Sequence, residues 1–222
     1  MKGYEPTLAY WDQVFQKVRP YHPEEPIPQV LLENALDWLA RDARSVLDFG
    51  CGTGRVLLRL LTKGVRRGVG IDLSGEAIQL ADAVAETHGL KDRAFFVNGG
   101  LRCLHELEHG SFEGAVLFNV LEGMLPEDAA EVVKQIHRIL VYRSRILLKL
   151  NAWLPREEIE ADPAYERLGP DLYREESGLY LWNISNEMVE ELLTPYFFIE
   201  EVQRLHLPDH AIDNRLFYLR AM

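Results

Sequence analysis

Val46-Leu47-Asp48-Phe49-Gly50-Cys51-Gly52-Thr53-Gly54-Arg55 joins a short apolar run to three alternating glycines, with one acid just before them. Glycines at 50, 52 and 54 permit backbone angles closed to other residues and let the main chain approach a ligand closely. A strand running into such a turn, with a helix opening behind it, builds a nucleoside pocket. A dinucleotide turn would place its third glycine one residue later, where Arg55 stands, and needs no acid two places before the first glycine. Asp48 therefore favours a ligand that carries a positive group. Cys51, a small residue in a tight turn, reads as packing rather than as a nucleophile. His88, His105, His109 and His137 show no metal-ligand spacing with cysteines or carboxylates, and His105-Glu106 with Glu108-His109 reads as solvated loop. No metal is expected.

A turn of this kind has to sit at the end of a strand in a layered sheet, and the flanking pattern supplies one. Residues 1–29 form an arm, with a helix predicted over Leu8–Val18 that Pro20, Pro23, Pro26 and Pro28 cannot continue. The period of Val30–Ala40 is helical, and strand one follows at Ser45–Phe49. A helix over 55–63 stops at Gly64, and strand two over Gly68–Leu73 delivers Asp72 near its carboxyl end. Ser74 caps a helix that stops at Gly89. Strand three is Ala94–Val97, strand four Gly114–Asn119 and strand five Arg145–Leu150, with a helix opening at Pro126. Alternation of this kind implies a doubly wound α/β fold with a parallel sheet. The end of the chain departs from it. After a helix over Ser185–Leu193, Phe197–His206 and Arg215–Ala221 are joined by a loop too short for a crossover helix, so they should pair antiparallel.

Composition narrows the class. The chain has 222 residues, 47% of them hydrophobic, enough for one sizeable core. Asp and Glu number 35 against 24 Lys and Arg, a net charge of −11, which repels a phosphate backbone and argues against nucleic acid as a partner. Two cysteines are too few for a disulfide framework, and no apolar run approaches the roughly 20 residues that cross a bilayer. A soluble cytoplasmic protein without a leader or membrane contact is the expectation.

With VLDFGCGTGR at 46–55, GVGIDLS at 68–74, FNVLEGM at 118–124 and the terminal strand pair, the chain resembles the class I S-adenosylmethionine-dependent methyltransferases over residues 30–222. The resemblance implies a Rossmann-like sheet of order 3-2-1-4-5-7-6 with the last strand antiparallel. It also implies S-adenosylmethionine as donor, S-adenosylhomocysteine as product and a small molecule as acceptor. Gly50, Cys51, Gly52 and Gly54 would cradle the donor, with Asp48 beside its methionine portion. Asp72 would accept from both ribose hydroxyls and Leu73 would lie beside it. Asn119 and Val120 would line the methionine end, although Asn119 could instead satisfy loop backbone. Where many members read Gly-Asp-Ala against the adenine amino group, this chain reads Asn98-Gly99-Gly100-Leu101, so Asn98 and the Leu101 N–H would have to replace an acid. The loss of one charge-assisted bond, ~1.5–3 kcal/mol, predicts modest affinity for the donor.

Methyl transfer from a sulfonium needs a base only when the acceptor must lose a proton. Glu122 is the best-placed candidate, with a solvated acid at a loop start as its competing reading. Several small-molecule O-methyltransferases have Glu-His there, and this chain has Gly123 for the His. Phe118-Asn119-Val120-Leu121 also lacks the paired prolines of adenine-amino methyltransferases, which argues against base flipping. Tyr10 or Trp11 of the arm would close over the donor, and Trp153, Tyr180 and Trp182 of an insert at about 151–184 would meet the acceptor. Two other classes stay open: a methyltransferase-like protein that binds without transfer, and a nicotinamide oxidoreductase, which Arg55 and the terminal strand pair disfavour. Neither the acceptor atom nor the oligomeric state is written in these motifs.

Overall fold

In the computed structural model, residues 3–206 and 213–222 are described. Strand β1 (Ser45–Phe49) is buried along its whole length and lies between β2 (Arg67–Asp72) and β4 (Phe112–Phe118), both parallel to it. Three of its five residues are apolar and a glycine turn follows at once, which makes its bounds legible. With β3 (Ala94–Asn98), β5 (Leu140–Leu150), β9 (Phe197–His206) and β10 (Asp213–Ala221), the sheet has the order β3-β2-β1-β4-β5-β10-β9. Strand β10 runs antiparallel to both neighbours. Numbered without the small strands of the insert, this is the expected 3-2-1-4-5-7-6 order. The expected loop between the last two strands lies, over 207–212, outside the described residues.

Side-chain alternation divides the core between the two faces of the sheet. Leu47, Phe49, Ala115 and Leu117 pack on one side with α6 (Pro126–Ile139), α8 (Asn186–Leu193) and the short α5 (Leu101–Glu106). Val46 and Val116 pack on the other with α2 (Val30–Ala40) and α3 (Arg55–Thr62). The helix ends follow local chemistry. The Ser74 hydroxyl accepts from the Ala77 N–H at 3.2 Å to cap α4 (Gly75–Thr87). Helix α6 has Pro126 in its first turn, Glu127 and Asp128 beside it, and His137 and Arg138 in its last turn, matching the helix dipole.

Two expectations need correction. The arm helix, α1, spans Glu5–Phe15 rather than Leu8–Val18, because Pro6 in the first turn starts it early. His105 and Glu106 belong to α5 and not to a loop; Arg138 holds that helix end by donating to the Leu104 and Leu107 carbonyls at 2.8 and 2.9 Å. The insert carries α7 (Arg156–Ala161) and its own antiparallel sheet of β6 (Tyr165–Gly169), β7 (Leu172–Glu175) and β8 (Tyr180–Trp182). Among the described residues, no helix is long and apolar enough to cross a membrane.

Candidate functional site

A cavity of about 490 Å³ opens at the carboxyl ends of β1 to β4. That is where an open parallel sheet leaves backbone groups and loops free to meet a ligand, and its size suits a small molecule. The sheet contributes Phe49 and Gly50 from β1, Ile71 to Leu73 from β2, Gly99 to Leu101 after β3, and Asn119 and Val120 after β4. Tyr4, Thr7 and Trp11 line it from the arm, and Glu175 and Leu179 to Leu181 from the insert.

The glycine turn is built for close approach. Gly50 has φ +75°, and a Cβ there would stand 2.9 Å from a Val120 methyl. Gly54, also at φ +75°, would push a Cβ to 2.7 Å from the Phe96 ring. Any side chain at either place would strain the backbone and collide with its neighbour. Asp72 then fixes the turn: its carboxylate accepts from the Gly52 N–H at 2.7 Å and the Ser74 N–H at 2.9 Å. Burial raises the Asp72 pKa against the pull of those two donors. Each Asp72 oxygen keeps a lone pair for a further donor.

Asp48 lies elsewhere than expected. It does not line the cavity, because it is one residue out of phase with Phe49 and shares the face of Val46. Asp48 is 2 % exposed, and its Oδ2 has no hydrogen-bond partner among the described residues. Burial, reinforced by the neighbouring Asp72, pushes its pKa up to about 8, while the Leu57 N–H works the other way. Cys51 is buried under the turn, and burial drives its thiol well above the usual range. Gly52, Gly54 and Cys51 thus shape the turn from outside the cavity wall. Asn98 is also withdrawn: its amide donates to the Asp72 and Leu73 carbonyls at 3.2 and 2.7 Å, holding the turn after β2.

Glu122 overturns the reading of a solvated acid. It lines the cavity at 5 % exposure in a 3-10 turn (Leu121–Gly123), and Oε1 accepts from the Asn151 N–H at 2.9 Å and the Asn119 amide at 3.1 Å. Oε2 is buried without a partner among the described residues. Burial raises its pKa, with the nearby Lys149 among the groups that pull it back. Asn119 adopts φ +56°, which asparagine tolerates, and links Glu122, Asn151 and Lys149 rather than the loop backbone. Sequence reasoning missed Asn151 and Lys149, since nothing local marks residues that meet only because β4 and β5 end side by side.

The aromatic candidates separate. Trp11 lines the cavity, stacked on Phe15, while Tyr10 does not and instead packs edge-on against Trp11. The Tyr4 hydroxyl donates to Asp128 and accepts from the Leu125 N–H, and its ring meets Tyr180 edge-on at 5.5 Å. The arm is also tied at Asp12, which accepts from the Ser74 hydroxyl. Tyr180 lines the cavity, whereas Trp182 belongs to the buried core and Trp153 lines a separate surface cleft with Arg204 and Arg215. Composition alone could not divide these roles.

Residues 46–142 match a family described as a methyltransferase domain. Over 172 residues, 76% of this chain, the sequence is 31% identical to a peramine synthetase of Metarhizium rileyi, of which the match covers 6%. The chain thus spans only a small part of that relative's length. Among solved structures, the N-methyltransferase NodS of Bradyrhizobium japonicum WM9, in complex with S-adenosyl-L-homocysteine, aligns over 98% of this chain and 99% of its own with a TM-score of 0.69 and 14% identity. The 1,6-didemethyltoxoflavin-N1-methyltransferase of Burkholderia thailandensis, bound to 1,6-didemethyltoxoflavin and S-adenosylhomocysteine, aligns over 88% of this chain and 80% of its own, with a TM-score of 0.66 and 21% identity. Likenesses at this identity establish the fold.

Proposed function

We infer, from the match of residues 46–142 to a methyltransferase-domain family and from the fold shared along the whole chain with solved methyltransferases, that this protein is a class I S-adenosylmethionine-dependent methyltransferase acting on a small molecule. The observation that carries this reading is the convergence on one cavity of Gly50, Asp72, Gly100 and Asn119 from four successive strand ends. The bare turn at Gly50 and the paired oxygens of Asp72 suit a nucleoside with two ribose hydroxyls. Bound there, S-adenosylmethionine would supply an electrophilic methyl on a sulfonium that leaves as a neutral thioether. The work left to the chain is to hold donor and acceptor in line and keep water out.

Acceptor contacts fall to Tyr4, Met124, Leu179 and Tyr180, whose rings and apolar chains suit a flat, largely apolar molecule, with Trp11 left to close over the donor. Glu122 sits on the cavity wall with one oxygen anchored and the other without a partner, the posture of a base that takes a proton from the acceptor. The alternative of binding without transfer draws support from Gly123, where a side chain would meet open space, and from Gly100 in the place of an adenine-side acid. Titration calorimetry with S-adenosylmethionine and S-adenosylhomocysteine, followed by labelled-methyl turnover on a panel of aromatic hydroxy and amino compounds, separates these readings. Binding with turnover is expected. Binding without turnover on any acceptor favours the alternative, and no heat at high micromolar ligand removes both.

Asp72→Ala should weaken donor binding about 10²-fold, since it deletes two charge-assisted hydrogen bonds of ~1.5–3 kcal/mol each that water partly replaces. Calorimetry on the folded variant checks this. Unaltered affinity would take ribose binding away from Asp72.

A further inference from the structure

His22, Glu24 and His88 lie far apart in the sequence, yet each offers a ligand atom and these atoms all stand within 4.8 Å of one another. We propose that they form a surface site for a divalent transition-metal ion, with zinc as the best match, which fastens the proline-rich segment of the arm to the end of α4.

The backbone under all three is already fixed. The Glu25 N–H donates to the His22 carbonyl at 3.1 Å, closing a turn that presents His22 and Glu24 together. Arg59 donates to the Glu24 carbonyl at 2.7 Å, Pro23 is buried, and the Tyr21 hydroxyl donates to the Thr53 carbonyl at 2.8 Å. His88 terminates α4, where its N–H bonds the Val84 carbonyl at 3.1 Å. The imidazole rings of His22 and His88 meet edge-on with centroids 5.0 Å apart. His88 Nδ1 is 3.5 Å from a Glu24 oxygen.

Two imidazole nitrogens and one carboxylate oxygen are donors that zinc accepts, leaving a fourth position for water, whereas magnesium and calcium prefer oxygen throughout. Bonds of about 2.0–2.2 Å bring neighbouring ligand atoms closer than they stand here. Exposed His22 and Glu24 can make that adjustment by turning their side chains while the backbone stays in place. None of the three lines the cavity, so the ion would act on the arm and not on the chemistry. Because the ion binds residues brought together only by folding, it should stabilise the folded chain.

The full chain, stripped with a chelator, is titrated with zinc chloride by calorimetry and with cobalt(II) by visible absorption. One saturable ion per chain at micromolar concentration is expected, with a rise in melting temperature. His22→Ala/His88→Ala should lose that site, and Glu24→Gln should weaken it by about tenfold while its circular dichroism stays that of the parent. Equal zinc affinity in the parent and in the double variant, or no saturable binding in the parent, would overturn the proposal.

Discussion

Glu122→Gln is expected to lower kcat about 10²- to 10⁴-fold while leaving S-adenosylmethionine affinity close to that of the parent. Glutamine keeps the Oε1 acceptor that holds the Asn151 N–H and the Asn119 amide, so the 3-10 turn and the ends of β4 and β5 stay in place. What it removes is the capacity to take a proton at the second oxygen, which lies buried and unpartnered. The pH profile sharpens the test. Burial raises the Glu122 pKa, so the parent should gain activity as pH rises through that raised value and the carboxyl ionises. The variant should lose that limb along with its rate. A Glu122→Gln enzyme with parental kcat and the same pH profile would leave Glu122 as a positioning residue, holding Asn119 and Asn151 only.

The second large effect is on stability. Asp48→Asn should make the protein more resistant to unfolding at pH 8, by on the order of 5 kcal/mol, with little change near pH 4. In the unfolded chain Asp48 ionises near 3.8, whereas in the folded chain burial keeps it protonated up to about 8. Between those values the folded state holds a proton that the unfolded state has released. Stability of the parent therefore falls as pH rises through this window, by at most about 1.4 kcal/mol per pH unit. Asparagine stays neutral at every pH and keeps an acceptor for the Leu57 N–H, so the slope disappears. Asp72 and Glu122 are also raised by burial and tilt the profile in the same sense in parent and variant alike. Urea unfolding of parent and variant at several pH values reads the difference. Parallel slopes would show that Asp48 carries no buried proton.

The elements that were legible are those with strong local constraints. Ser45–Phe49 and Val30–Ala40 were read to the residue, the first because three of its five residues are apolar and a glycine turn ends it, the second from its helical period. Helix α5 was missed because six residues after a glycine pair are too few to show a period. The small sheet of the insert was missed for a related reason: β8 has three residues and, among the described residues, pairs with β7 alone. Short strands of this kind are specified by their partners more than by their own sequence.

Short-range physics written in the chain settles the turn at Gly50 to Gly54, the cap at Ser74, the helix start at Pro126 and the alternation that makes a doubly wound sheet. Which way those parts face follows from how distant segments pack. That packing turned Asp48 away from the cavity and into the core, buried Glu122 beside Asn151 and Lys149, kept Trp11 and Tyr180 at the wall while withdrawing Tyr10 and Trp182, and gathered His22, Glu24 and His88. The physical reason is one of range. Backbone angles and capping depend on neighbours a few residues away, whereas burial, ionisation and ligand sets depend on side chains that meet only when distant segments pack.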